Sequence, residues 1–364
     1  MGIWIFALVL ALVLCVCAVV FLIRHFHKFK CIQRLATQHK ALAWVISAAP
    51  LLLAAACALF EGVTVILVLI HLMIIWAVCD LVGLLVNKAR HTTLAQQPRY
   101  VAGGVAILLT AAYIGAGVFA LYNVEETHYE LSTEKAAHLR ILQISDSHLG
   151  TTFDGEGFAA YLQRAQQCNP DVVVVTGDLI DDGSSWEDMQ AAARALGAMT
   201  STYGTYYVFG NHDKGMGVGR GYGGQQVIDE LTRNGVVVLQ DQLVPLGNNV
   251  VLMGRQDKSA QSRASMQQLM AGVDPNAYVV VLDHQPGDYA AQEKSGVDLV
   301  LSGHTHGGQM IPVGQFSEAV GINDATYGLQ RRGTTDFIVN AGISDWEIKF
   351  KTGAISEYVV VDVN

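Results

Sequence analysis

The pattern of apolar and polar positions changes character near residue 123. Before that point four long apolar runs follow one another, at 3–23, 41–60, 63–86 and 101–122, and Asp80 is the single Asp, Glu, Lys or Arg inside them, with His71 in the same run. A helix needs about 20 apolar residues to cross the hydrocarbon core of a bilayer, so the pattern predicts four transmembrane helices over residues 1–123. The first run is too long for a signal-peptide core, has no basic region before it and no clear small-residue cleavage site after it, so it is expected to be retained. Pro50 falls inside the second run and predicts a kink.

After residue 123 the period shortens. Residues 124–138 are polar and read as a linker. Short apolar runs at 139–145, 172–176, 206–209, 236–239, 250–253, 278–282 and 297–301 read as strands. Helical patterns fall between them at 158–168, 186–199, 225–234 and 262–270. Two strand-like runs, 336–340 and 357–361, close the chain with no helix between them. Strands alternating with helices predict a layered α/β fold, with mixed sheet pairing toward the end, over residues 139–364.

Charge sharpens this division. Residues 1–123 carry 8 Lys/Arg and 2 Asp/Glu, a net of +6, whereas residues 124–364 carry 15 and 30, a net of −15, giving −9 for the chain. A domain this acidic lacks the basic footprint that a phosphate backbone requires, so nucleic acid is not expected as a partner. The loop at 24–40 carries Arg24, Lys28, Lys30, Arg34 and Lys40, and the loop at 87–100 carries Lys88, Arg90 and Arg99; residues 61–62 carry only Glu61. Basic loops stay in the cytoplasm. Both basic loops then lie inside, and the chain after Tyr122 emerges on the extracytoplasmic face. Asp80 is expected to snorkel or to pair with Lys88 or Arg90. Of the six cysteines only Cys168 lies beyond residue 123, so no disulfide can form within the second part.

The polar residues just past the expected strands are the chemically informative ones. After the first come Asp146-Ser147-His148, after the second Gly177-Asp178 and then Asp181, after the third Gly210-Asn211-His212-Asp213. After 278–282 come Asp283-His284-Gln285, and after 297–301 come Gly303-His304-Thr305-His306-Gly307-Gly308. Functional groups in open α/β sheets gather at the carboxyl ends of strands, and here five such ends deliver Asp, His or Asn. Oxygen and imidazole donors without thiolate suit Mn, Fe, Zn or Co. About seven ligand side chains are too many for one ion. Two divalent ions sharing a carboxylate fit better, as in sites that clamp both oxygens of a phosphoryl transfer.

The order Asp-x-His, Gly-Asp, Gly-Asn-His-Asp, His, Gly-His-x-His across residues 139–310 resembles the calcineurin-like metallophosphoesterase superfamily, in its bacterial membrane-bound branch, which shares Gly-His-Thr-His-Gly-Gly-Gln at 303–309. The resemblance implies an α/β/β/α sandwich with mixed sheets. It implies that Asp146, His148 and His306 bind one metal ion, that Asn211, His284 and His304 bind the other, and that Asp178 bridges them. It also implies that His212 faces the substrate as a catalytic residue and that Asp213 orients His212. Asp181 is expected in a supporting or structural role. Asp283, before His284, departs from the small or hydroxyl residue expected there.

Two stretches stay open. The Gly-rich run 214–224 has no Walker pattern; it is either a flexible connection or a rim whose Lys214, Arg220 or Tyr222 meets substrate. In the irregular region 311–332, Arg331 and Arg332 face either a phosphate or lipid head groups. The expected whole is a multi-pass cell-membrane protein whose extracytoplasmic domain uses two divalent ions (Mn, Fe or Zn). It would hydrolyse a phosphodiester, phosphomonoester or pyrophosphate bond, with the lipid bilayer as a partner and a lipid-linked or cell-envelope substrate. The alternatives are hydrolysis of soluble extracellular phosphoesters, or a non-catalytic metal-binding sensor or transport partner. An intact ligand set and His212 argue against the last.

Overall fold

The computed structural model describes residues 2–90, 100–136, 138–215 and 220–364, with side chains from Val13 onward. The chain forms two compact units, Met1–Gly117 and Val118–Asn364.

The first unit is helical: α1 (Gly2–His27), α2 (Lys30–Ala36), α3 (Lys40–Cys57), α4 (Gly62–Ala89) and the greater part of α5 (Val101–Tyr122). Among the described residues α3, α4 and α5 are long and apolar enough to cross a membrane, and α1 is apolar over Val13–His27. The side chains of 2–12 and the loop at 91–99 with Arg99 lie outside the described residues. Large apolar side chains point outward from these helices; Leu53 is 69% and Leu108 72% exposed. In water this would be costly, whereas against lipid tails it is not. The loop expected at 24–40 contains α2, and Pro50 lies inside α3.

Asp80 does not turn to Lys88 or Arg90. Its Oδ2 lies 3.0 Å from His25 Nε2 and 3.1 Å from Lys28 Nζ, and its Oδ1 accepts from Tyr100 Oη at 2.5 Å. Trp76 Nε1 donates to the same hydroxyl at 3.0 Å. One turn of α4 separates Asp80 from Trp76, so both reach the same partner.

The second unit stacks two six-stranded sheets. One has the order β1-β12-β2-β3-β4-β5, built from β1 (Glu125–Leu131), β2 (Leu139–Ile144), β3 (Val172–Val175), β4 (Thr205–Tyr207), β5 (Val237–Val238) and β12 (Glu357–Val363). The other has the order β10-β11-β9-β8-β7-β6, from β6 (Gln242–Gly247), β7 (Val250–Gly254), β8 (Tyr278–Leu282), β9 (Leu299–Ser302), β10 (Gly328–Arg332) and β11 (Thr335–Val339). Strands β2 to β5 are parallel, as are β7, β8, β9 and β11, while β12 runs antiparallel to β2 and β10 to β11. The sheets are therefore mixed, as expected.

Period-two alternation explains why the central strands read as unbroken apolar runs: both faces are buried. In β3, Val172 and Val174 enter the core between the sheets, while Val173 and Val175 pack under α6 (Gly155–Ala165), α7 (Trp186–Gly197) and α8 (Gly224–Arg233). In β8, Val280 faces the inter-sheet core and Val279 and Val281 face the layer of α9 (Met266–Leu269) and α10 (Tyr289–Ser295). The layers are α/β/β/α.

The outer elements depart from expectation. Residues 125–131, read as linker, form the edge strand β1, parallel to β12 from Glu125↔Glu357 to Leu131↔Val363. Thr127, Tyr129 and Leu131 are its more buried positions and the residues between them are exposed; one face is enough for an edge strand, and the polar face disguised it. The helix expected at 262–270 shrinks to Met266–Leu269, behind a Ser265–Gln268 capping box. The hairpin of β6 and β7 turns at Asn248 and Asn249, both at positive φ (47° and 62°), a conformation asparagine tolerates.

Candidate metal centre

The carboxyl ends of β2, β3 and β4 in one sheet meet those of β8 and β9 in the other. Short backbone bonds lace the loops together: Asp146 N–H donates to Gly177 O at 3.0 Å, His148 N–H to Asp178 O at 3.1 Å and Gly303 N–H to His284 O at 3.0 Å. The packing leaves no room for side chains at two glycines. A Cβ on Gly177, which has φ +91°, would meet the backbone of Gly210 and the His284 ring; one on Gly303 would collide with Ser145 and Asp146. Asp146, His148, Asp178, His304 and His306 all adopt positive φ, between 37° and 70°. For L-residues this is strained, and such strain collects where function holds it in place.

The side chains fall into three groups of possible ligand atoms: Asp146 with His148 and His306, all buried; Asp178 and His284, buried, with the half-buried His304; and His148 with the half-buried Asp181 and His212. Asp178 joins the first two. Its Oδ2 lies 3.0 Å from His284 Nε2 and 3.7 Å from His148 Nε2, and its Oδ1 accepts the His212 N–H at 2.8 Å. Asn211 Oδ1 lies 3.2 Å from His284 Nε2. Two outer nitrogens are hydrogen-bonded from behind: His284 Nδ1 meets Thr176 O at 2.7 Å and His148 Nδ1 meets Asp181 Oδ2 at 3.3 Å. His306 Nδ1 lies 3.3 Å from Asp345 Oδ1 without a hydrogen bond. In each of these three rings Nε2 faces inward, the orientation that outer partners impose on metal-binding histidines. His148 Nε2 is buried with no hydrogen-bond partner.

The electrostatics express the same need. Burial raises the pKa of the Asp146 carboxyl. Burial also opposes charge on Asp178, but the neighbouring His284 outweighs it and holds this carboxyl well below the usual range. On His284 burial works against the charged form, and Asp178 more than reverses it, raising the imidazole to about 10. Burial, then His284, push His304 down to about 4. Burial, then His148, push His306 far down. A proton on His284 and a metal cation answer the same demand, positive charge against Asp178. Buried oxygen and imidazole donors in two groups, one carboxylate between them and one inward nitrogen without a partner, fit two divalent cations.

Residues 139–308 match the family model of calcineurin-like phosphoesterases. An uncharacterized metallophosphoesterase of Campylobacter jejuni is 29% identical over 232 residues, which are 62% of this chain and 59% of that protein. One of Aquifex aeolicus is 30% identical over 201 residues, 53% of this chain and 74% of that protein. The chain belongs to the calcineurin-like phosphoesterase family. A Danio rerio protein named as a transmembrane protein with metallophosphoesterase domain is 27% identical over 282 residues, 70% of this chain and 61% of that one. The chain thus spans about six tenths of the Campylobacter and Danio relatives.

In this calcineurin-like phosphoesterase the surrounding residues take definite places. His212 lines an open cleft of about 400 Å³ together with Asp178, Asn211, His304, His306 and Trp346. Its ring centroid is 5.1 Å from that of His148 and 5.2 Å from that of Trp346. Asp213, expected to orient the His212 ring, is turned away from it. Its carboxylate accepts from the N–H groups of Asp178 at 2.8 Å, Leu179 at 3.0 Å and Gly210 at 2.7 Å, and so braces the loop that carries Asp178. Asp283 also points away from the ligands: Arg255 at 2.8 Å, Arg263 at 2.5 Å and Gln292 at 2.8 Å surround it.

The described end of the Gly-rich run at 220–224 braces the loops around the site. Arg220 donates to His212 O at 3.2 Å and Asp213 O at 2.7 Å, and Tyr222 Oη donates to Ser184 O at 3.1 Å. Residues 216–219 lie outside the described residues. Arg331 pairs with Asp336 at 3.5 Å, and Arg332 donates to Asp324 O at 3.0 Å.

Sequence reasoning missed Asp345, Gln309 and Lys351. Gln309 Nε2 donates to Asp345 Oδ1 at 2.9 Å, behind His306. Burial raises the Asp345 carboxyl to about 6. The buried Lys351 ammonium donates to Ala341 O at 2.7 Å and Ser344 O at 2.9 Å, fixing the turn whose Ser344 N–H reaches Asp146 O at 3.2 Å. Asp345 and Lys351 sit in coil at 341–356, where no periodicity marks them, with an acidic residue just before Trp346 the only trace; Gln309 closes the motif at 303–309, which gave it no role.

Proposed function

We propose that this protein is a membrane-anchored, two-metal phosphoesterase. Asp146, His148 and His306 hold one ion, Asn211, His284 and His304 hold the other, and Asp178 bridges them. The observation that carries this reading is the single oxygen Asp178 Oδ2, within 3.0 Å of His284 Nε2 and 3.7 Å of His148 Nε2, one histidine from each group. When bound, two divalent ions lower the pKa of a water molecule and neutralise charge on the phosphoryl oxygens.

The chain's own residues do the rest. Asp178 Oδ1 fixes the His212 backbone amide, so the bridging carboxylate and the imidazole keep one register. His212, at the cleft, gives its proton to the leaving oxygen as general acid. Asp213 and Arg220 act through the backbone, as positioning residues.

The catalytic unit lies outside the cytoplasm. The helix α5 is preceded by the basic loop at 87–100, so the chain after Tyr122 leaves on the opposite face. Only Asn123 and Val124 separate α5 from β1, so the domain follows directly on an expected membrane span, which favours a lipid-linked or cell-envelope phosphoester or pyrophosphate.

The test pairs metal analysis with turnover on the full-length protein and an Asp178→Asn variant. Wild type should retain about two equivalents of Mn, Fe or Zn and hydrolyse a chromogenic phosphodiester; the variant should lose both. Wild type that binds no metal, or binds it and hydrolyses no phosphoester, overturns the proposal.

A further inference from the structure

An apolar face flanks the cleft. The segment around α11 (Val313–Ala319) presents Ile311, Val313, Phe316, Val320 and Ile322 to the outside, with Phe316 64% and Ile322 58% exposed. Glu318 is the single charged residue between Ile311 and Ile322. Five large apolar side chains in twelve residues form a patch of a kind that folded domains in water seldom leave uncovered. The same short helix is a wall of the active-site cleft. Val313, Gly314 and Ser317 line it with His304, His306 and Trp346, and Gly314 packs closely on Gly308 and Thr326.

The chain itself says what lies next to this face. The last turn of α5, 118–122, belongs to the second unit. Ala120 O accepts from Ser356 N–H at 2.9 Å. Four residues earlier, Thr352 N–H donates to Gln309 O at 2.8 Å and Thr352 Oγ1 accepts from Ile311 N–H at 3.1 Å. Four residues of chain reach at most about 14 Å. With the two hydrogen bonds at its ends, of 2.9 and 3.1 Å, the patch begins within about 20 Å of the last turn of an apolar helix whose 22 residues match the thickness of a bilayer. Tyr327, 42% exposed, shares a small cleft with Gln315 and Glu318 beside the patch, and tyrosine favours the membrane–water boundary.

We propose that the face of Ile311, Val313, Phe316, Val320 and Ile322 rests in the bilayer interface, so that the cleft opens onto lipid and takes an amphiphilic phosphoester directly from the membrane. This rests on the reading of the chain as a membrane-anchored phosphoesterase and names how its substrate arrives. The apolar side chains enter the boundary between head groups and acyl chains, as interfacial helices do. Glu318 stays at head-group level, and the phosphoester reaches the metal centre along the wall formed by Val313 and Ser317.

The experiment uses the full-length protein in vesicles of phosphatidylethanolamine and phosphatidylglycerol. A photo-crosslinking benzoyl-phenylalanine replaces Phe316, or Leu108 in a spanning helix, or Gln225 on the exposed side of α8. Lipid adducts at 316 and 108 but not at 225 are expected. No lipid adduct at 316 while 108 is labelled overturns the proposal, and so does an adduct at 316 to a second protein chain. A Phe316→Ser/Val320→Ser variant adds the second readout. Its hydrolysis of a lipid phosphoester in the vesicles should fall about tenfold or more, the scale of losing a buried phenylalanine, with turnover of a soluble chromogenic phosphodiester unchanged. Equal loss on both substrates overturns the proposal. Lipid adducts at 316 in a protein that hydrolyses only soluble phosphoesters would uphold the membrane contact and remove the lipid-substrate reading, whereas lipid hydrolysis without adducts would do the reverse.

Discussion

Asp178 and Asp283 are both buried carboxylates at strand ends, and the chain surrounds them differently. Asp283 receives Arg255, Arg263 and Gln292. Asp178 meets the imidazoles of His284 and His148 and the amide of His212, and among the described residues no arginine or lysine pairs with it. Asp80 in the helical unit follows the Asp283 pattern, with Lys28 and His25. A buried carboxylate without compensating charge costs several kcal/mol. Where the chain supplies arginine or lysine, the group is a structural strut; where it supplies only imidazoles, the positive charge is either a proton on His284 or a bound cation.

The largest expected effect breaks the open side of this contrast. Asp178→Asn should cut phosphodiester turnover by about 10³-fold or more, with loss of bound metal measured on the same sample. His212→Asn should instead cut turnover by about 10²–10⁴-fold with the metal content unchanged. If both variants lose metal, His212 belongs to the ligand set rather than to proton transfer.

Breaking the closed side should cost stability rather than chemistry. Arg255→Ala leaves a buried carboxylate with half its charge partners, and a loss of about 3–5 kcal/mol is expected in denaturant unfolding. At a temperature where the variant stays folded, its metal content should match wild type. An unchanged unfolding midpoint would mean that Arg263 alone suffices.

This contrast was only half visible in the chain. The candidate ligand residues were legible as a set because each follows a strand that reads as an apolar run, and because Asp, Asn and His at five such ends have one common chemistry. Asp213 was misread because its neighbour His212 suggests a dyad; the turn at 211–214 aims its carboxylate at backbone amides instead. Asp283 looked like an anomaly because Arg255 and Arg263 lie 28 and 20 residues earlier, one past β7 and one in coil. β1 was lost in a polar stretch, since an edge strand needs only one apolar face. Asp345 and Lys351 act from coil, which has no period to read.

A smaller effect probes the outer support of the metal centre. Asp345→Asn keeps the shape behind His306 and removes the charge, so metal affinity should fall about 10–100-fold. Competition with a chelator of known affinity measures this directly. An unchanged affinity would leave Asp345 as a hydrogen-bond partner of Gln309 only.

The smallest effect concerns a carboxylate that sits between the two extremes. Asp362 on β12 accepts from Arg140 Nε at 2.7 Å and from a second guanidinium nitrogen at 2.8 Å, and His128 Nε2 lies 2.8 Å away. The Arg140 hydrogen bonds hold its carboxyl down to about 2, below the ordinary 3.8. A depressed folded-state value stabilises the fold above the unfolded pKa and loses that contribution as pH falls through the folded one. The pair should therefore stabilise fully above about pH 4 and fade toward pH 2. Arg140 is a third exposed, so its contribution is expected to be about 1 kcal/mol or less. Comparing wild type with Arg140→Ala isolates it from the acid loss of metal, which both proteins share. The stability gap should be constant from pH 7 to pH 5 and narrow below pH 4. It should not vanish, because Arg140 also donates to Cys168 O at 2.9 Å, a bond that no proton removes. A gap independent of pH would place Asp362 with the solvated surface, where a cation nearby changes little.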